Sequence, residues 1–161
     1  MVKKVTISSK GQITLPKDLR DKYHLNYGES VIVSDTIGLA RYLEDNLPGP
    51  ASDVFSLAER GEASILVPQT VMGEFICIAM KGRLRFADPK GAVKQVLDEL
   101  RGASFIFQSN FPEDGWDIFL SLDIPELHDR LIAAEALTRS SSLISNDPVF
   151  RKVHGLEVIW E

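Results

Sequence analysis

Cysteine is almost missing from this chain: its 161 residues include a single one, Cys77. A lone thiol excludes an internal disulfide and a cysteine-built zinc site. Histidine is scarce too, and His24, His128 and His154 are too scattered to suggest a ligand trio. No apolar run approaches the ~20 residues needed to cross a bilayer. Met1-Val2-Lys3-Lys4 leads straight into alternating residues, without the apolar stretch of a signal peptide. A cytoplasmic location is the expectation. There is no internal repeat and no low-complexity segment. What remains is an ordinary globular balance, 44% hydrophobic and 25% charged. The length fits one domain, or one with a small appendage.

Charge is unevenly spread. Residues 1–34 carry Lys3, Lys4, Lys10, Lys17, Arg20 and Lys22 against Asp18, Asp21 and Glu29, a net of +3, so the rest of the chain holds −8 of the total −5. A basic arm suits contact with nucleic acid. The acidic body cannot attract nucleic acid by net charge and needs local cations for that purpose.

Along the chain, Val5-Thr6-Ile7 and Gln12-Ile13-Thr14-Leu15 read as short strands around a Ser8–Gly11 turn, and Pro16 opens a helix to about Tyr23. Val31-Ile32-Val33 reads as a buried strand. Strand and helix then alternate. Helices are expected over 36–44, 52–60, 70–81, 90–101, 116–122 and 129–138, and strands over 63–67, 104–107, 143–145 and 156–160. Cys77, Trp116 and Phe119 are expected to pack the core, an exposed aromatic being free to stack on a base. The alternation predicts an α/β sandwich with a mostly parallel central sheet flanked by helices.

Open α/β sheets place their sites beyond the carboxyl ends of strands. Asp35 and Asp147 stand at such ends, while Glu74 and Asp129 lie in helices. Each has a plainer reading. Asp35 could cap the helix starting at Thr36, Asp147-Pro148 makes a good cap pair, and Asp129 could answer a helix dipole. Glu74 misses the capping-box position after Thr70 and has apolar neighbours, so if buried it needs a cation, a basic partner or a solvent cleft. Gathered together, four carboxylates repel and raise each other's pKa. A hard divalent cation such as Mg²⁺ or Mn²⁺ removes that penalty and supports hydrolysis of a phosphodiester.

These residues resemble the PIN family, especially VapC-type toxins of prokaryotic toxin–antitoxin pairs. The resemblance rests on Val33-Ser34-Asp35-Thr36, on Val67-Pro68 followed by Glu74, and on a closing run. That run is His128 to Leu137, then Leu143-Ile144-Ser145-Asn146-Asp147-Pro148, then Val153 to Ile159. Pro148 departs from the family, which often has a charged residue there. The resemblance covers residues 31–161. It implies a PIN-like three-layer sandwich and a Mg²⁺- or Mn²⁺-dependent endoribonuclease. Asp35, Glu74, Asp129 and Asp147 would be its metal-binding and catalytic set, supported by Thr36 and Ser145. Its water-attack chemistry would leave a 5′-phosphate and a 3′-hydroxyl.

Residues 1–30 resemble a different family. Ser9-Lys10-Gly11-Gln12-Ile13-Thr14-Leu15-Pro16 is similar to the AbrB-type swapped-hairpin DNA-binding domain common in antitoxins. The pattern breaks off at Val31–Val33, which serves both families, so the segment reads as a truncated hairpin-and-helix arm. Lys10 and Lys17 are its candidate phosphate contacts, beside Lys3 and Lys4. Arg41, Arg83, Arg85 and Arg130 are candidates for steering RNA toward the acids, with ordinary surface charge as the plainer reading. RNA is the expected substrate, and a cognate antitoxin, DNA contact through the arm and a homodimer are the expected partnerships. The alternative is an AbrB-like DNA-binding regulator or antitoxin-type dimer with a catalytically silent PIN domain.

Overall fold

The computed structural model describes residues 30–83 and 88–161. The expected N-terminal arm with Lys10 and Lys17, and Arg85, lie outside the described residues. Five strands, β1 (Ser30–Ser34), β2 (Ala63–Pro68), β3 (Ile106–Ser109), β4 (Ser142–Ile144) and β5 (Val158–Ile159), form one sheet in the order β3-β2-β1-β4-β5. Every pairing is parallel. The expected "mostly parallel" sheet is therefore wholly so among the described residues.

The helices between the strands are α1 (Thr36–Leu43), α2 (Gly49–Glu59), α3 (Gln69–Met80), α4 (Pro89–Gly102), α5 (Gly115–Ser121) and α6 (Leu127–Thr138). A parallel sheet is covered on both faces, so its strands read as continuous apolar runs. Val33, Ile65, Leu143 and Ile144 are accordingly sealed from solvent, as are Leu39, Phe75 and Ile132 on the helices that cover them.

The strand order fixes the position of the site. From β1 the chain builds outward through β2 to β3, then returns to the other side of β1 to add β4 and β5. β1 and β4 therefore flank the point where the winding reverses, and the crevice beyond their carboxyl ends is where such sheets take ligands. Ser34 at the end of β1 lies opposite Ile144 at the end of β4.

Several elements begin elsewhere than the sequence suggests, α6 at Leu127 rather than Asp129 and β5 at Val158 rather than Leu156 among them. α2 starts at Gly49 rather than Ser52, with Pro50 in its first turn and the Ser52 N–H donating to the Pro48 carbonyl at 2.8 Å. Proline is tolerated there because first-turn N–H groups have no helical partner. β3 starts at Ile106 rather than Ser104, because its register with β2 sets Ile106 opposite Ile65.

Two side chains also leave the expected core. Cys77 is exposed. The inward stripe of α3 is Val71, Met72, Phe75 and Ala79, and a period of 3.6 turns position 77 to the opposite face. Trp116 is half exposed, its ring packed at the surface between Phe111 and Phe119 at centroid distances of 4.6 and 5.6 Å.

Candidate functional site

Asp35 is the first residue past β1. Its N–H donates to the Ile144 carbonyl at 3.0 Å, which carries the β1–β4 ladder one step further. Its backbone stays extended, and its Oδ1 accepts from the Gly38 N–H at 2.6 Å. The capping reading of Asp35 is thus correct, and it coexists with the site. An N-cap carboxylate must sit at the mouth of the helix that follows β1. Burial pushes the Asp35 carboxyl up to about 6, aided by the charges of Glu74 and Asp129 and opposed by hydrogen bonds from Ser145 and Gly38.

Asp147 follows β4. Its N–H donates to Ser145 Oγ at 3.0 Å, and its Oδ1 accepts from the Val149 N–H at 2.8 Å, folding the chain around Pro148. The fully buried Ser145 hydroxyl also bonds the Asp35 carboxylate. One side chain therefore fixes two of the acids relative to each other. Glu74 projects from the flank of α3, half-buried, and the Thr36 hydroxyl donates to its Oε2. Asp129 lies in the first turn of α6, whose N-cap is Glu126, the carboxylate of Glu126 accepting from the Asp129 N–H at 2.9 Å. Burial raises the Asp129 carboxyl to about 6, helped by Asp147, Glu126 and Glu74 and countered by His128.

Asp35, Glu74, Asp129 and Asp147 line one cleft of about 390 Å³, together with Thr36, Ile37, Ile78, Arg83, Ile132 and Asn146. All four candidate acids, from four separate stretches of chain, meet there. Among the candidate cations, Arg83 lines the cleft, while Arg41 and Arg130 do not. Arg41 is half-buried in the last turn of α1. Arg130 donates through Nε to the Ile124 carbonyl and lies over the Phe119 ring, 5.3 Å from its centroid, so it ties α6 to the preceding loop and helix.

The donor set is oxygen throughout, four carboxylates with a hydroxyl and an amide beside them, which fits a hard divalent cation. Among the described residues, no three His, Cys, Asp or Glu side chains converge closely enough to chelate one ion. Mg²⁺ does not need such a cage, since it keeps several waters and takes one or two carboxylates directly. The raised Asp35 and Asp129 carboxyls come first from burial, with the charges of neighbouring acids, Glu74 among them for both, adding to it.

Three residues of the site escape the sequence reading. Asn146 and Glu126 carry no periodic signal. Gly38 does, as a glycine inside a helical pattern. A Cβ there would stand 2.7 Å from Ser34 Oγ, 2.9 Å from Ile144 Cγ2 and 3.2 Å from Asp35 Oδ1, so Gly38 lets α1 sit directly on the two strand ends that present the acids.

Residues 4–38 match the family model "MazE_antitoxin: Antidote-toxin recognition MazE, bacterial antitoxin". No curated protein matches. Among solved structures, VapBC2 from Rickettsia felis, bound to a DNA fragment from its promoter, superposes with a TM-score of 0.63 at 18% identity, covering 81% of this chain and 99% of that one. VapBC-1 from nontypeable Haemophilus influenzae gives 0.51 at 13%, covering 80% and 96%, and PAE2754 from Pyrobaculum aerophilum gives 0.54 at 14%, covering 81% and 90%. The described residues thus have the PIN-like α/β fold of these proteins, and the chain carries a MazE-antitoxin match at its N-terminal end.

Proposed function

We propose that this chain is a divalent-metal-dependent endoribonuclease, with residues 31–161 as the nuclease domain and residues 1–30 as an antitoxin-like segment. One observation carries the reading: Asp35, Glu74, Asp129 and Asp147 line a single cleft at the reversal of a parallel sheet. Four carboxylates facing one another are a poor arrangement for stability and a good one for Mg²⁺ or Mn²⁺.

When bound, the cation lowers the pKa of a coordinated water and neutralises charge developing on the phosphate. The chain supplies the rest. Asp35 and Asp129 present carboxylates that hold a proton up to about pH 6 and are free to ligate above it. Ser145 holds the Asp35 carboxylate and the Asp147 loop together, and Thr36 holds Glu74. Hydrolysis by water attack leaves a 5′-phosphate and a 3′-hydroxyl. The fold likeness to VapBC structures and the MazE match support a place in a toxin–antitoxin pair, with a cognate antitoxin as partner.

The test is incubation of mixed RNA with the full chain in Mg²⁺ or Mn²⁺, beside Asp129→Asn and beside excess chelator. Cleavage lost in both controls supports the reading. The MazE match favours a second one, a DNA-contacting, antitoxin-type dimer whose cleft is silent. Salt-sensitive binding of duplex DNA without any RNA cleavage would select it.

A further inference from the structure

Arg83 is the one Lys or Arg among the described residues lining the acid cleft. Its position follows from how α3 ends. Gly82, at φ +66, turns the chain back; its N–H donates to the Ala79 carbonyl at 3.0 Å, and the Arg83 N–H donates to the Ile78 carbonyl at 3.1 Å. This pair of bonds is the Schellman closure, which sets the residue after the glycine over the residue five positions earlier. Ile78 is one helical turn past Glu74, and both line the cleft. The same turn that ends α3 therefore returns a guanidinium to the face that carries Glu74. Arg83 is exposed, and among the described residues it forms no ion pair.

A cation with no ion pair among the described residues, beside four carboxylates, is available to an incoming anion. The acids themselves oppose a polyanion, so a bound phosphodiester needs positive charge beyond what a cation shared among four acids provides. The guanidinium fork matches two phosphate oxygens at once. We propose that Arg83 contacts a backbone phosphate of the RNA at the scissile bond, as the substrate-binding cation of this cleft. This rests on the ribonuclease reading for its substrate.

The test separates the two. Fluorescence anisotropy follows single-stranded RNA binding to Asp129→Asn in Mg²⁺ over a series of salt concentrations, with and without Arg83→Ala. Loss of one phosphate contact lowers the slope of log affinity against log salt by about 0.7. Arg83→Lys keeps the slope but loses the fork. In the otherwise native chain, Arg83→Ala lowers cleavage about tenfold or more, with Arg83→Lys between it and wild type. An unchanged slope overturns the contact, whatever happens to the rate, and so does an absence of RNA binding. If the native chain cleaves RNA and the slope is unchanged, the nuclease stands and Arg83 falls. If the slope changes but the native chain never cleaves, a backbone-phosphate contact stands, while the nuclease reading falls and with it the placement at a scissile bond.

Discussion

The hydroxyl of Thr36, first residue of α1, donates to Oε2 of Glu74 on α3, across 38 residues of sequence. Thr36 is buried and Glu74 only half so, which makes the hydroxyl the fixed partner and the carboxylate the positioned one. Thr36→Val keeps the shape and removes the donor. It should cost about 1 kcal/mol of stability and slow RNA cleavage severalfold, whereas Thr36→Ser should keep most of both. Thermal melts and single-turnover rates for the two variants check this. Equal rates in both would show that Glu74 needs no such support.

Gly38 gives a case in which two effects oppose. Alanine in a helix is favoured over glycine by about 1 kcal/mol. Against this, its Cβ would stand under 3.0 Å from Ser34 Oγ and Ile144 Cγ2, both on fully buried residues. Overpacking of that kind costs about 1–3 kcal/mol, so the clash wins. Gly38→Ala should lower the melting temperature and, by shifting α1 against Asp35, reduce cleavage by more than the stability loss explains. A variant more stable than wild type would contradict the packing described.

Much of this site is legible in the sequence because its acids stand where chain and geometry coincide. Asp35 and Asp147 follow apolar runs that could only be interior strands, and a sheet wound in two directions brings such ends together. The helix-capping signal at Asp35 is a real hydrogen bond rather than a competitor to the site, whereas Asp147 caps no helix: its carboxylate closes a turn onto the Val149 N–H, and Val149 is the N-cap of the short helix that follows. What escapes depends on contacts between distant segments. The exposure of Cys77 follows from which face α3 turns to the sheet, a choice its nearly all-apolar sequence does not specify. Trp116 sits at the surface because Phe111 and Phe119 meet it there. Arg130 sits beside Asp129 in sequence yet is engaged by the Ile124 carbonyl and the Phe119 ring, while Arg83, one of four arginines the sequence offered without ranking them, reaches the cleft through the glycine turn that ends the helix of Glu74.

The raised carboxyl of Asp35 makes a prediction opposite to ordinary acid denaturation. Its pKa of about 6 in the fold exceeds the ordinary aspartate value of about 3.9, so the folded state binds the proton more tightly. The proton-linked advantage is complete below about pH 4 and is lost as pH rises to about 6, a difference of up to about 3 kcal/mol. Asp35→Asn removes that titration and keeps an oxygen able to accept from Gly38. In metal-free buffer its melting temperature should gain on wild type between pH 4 and pH 7 by several degrees, while its cleavage is abolished. Thermal melts across that range test it, and a gap that does not widen with pH would refute the assignment.

Diffraction from crystals soaked in Mn²⁺, collected for anomalous signal, tests the central claim most directly. An anomalous peak within coordination distance of carboxylates of the Asp35, Glu74, Asp129 and Asp147 set is the result predicted, and Asp129→Asn should weaken or remove it. Saturating Mn²⁺ with no peak in that cleft, in crystals that leave it open to solvent, would contradict the account.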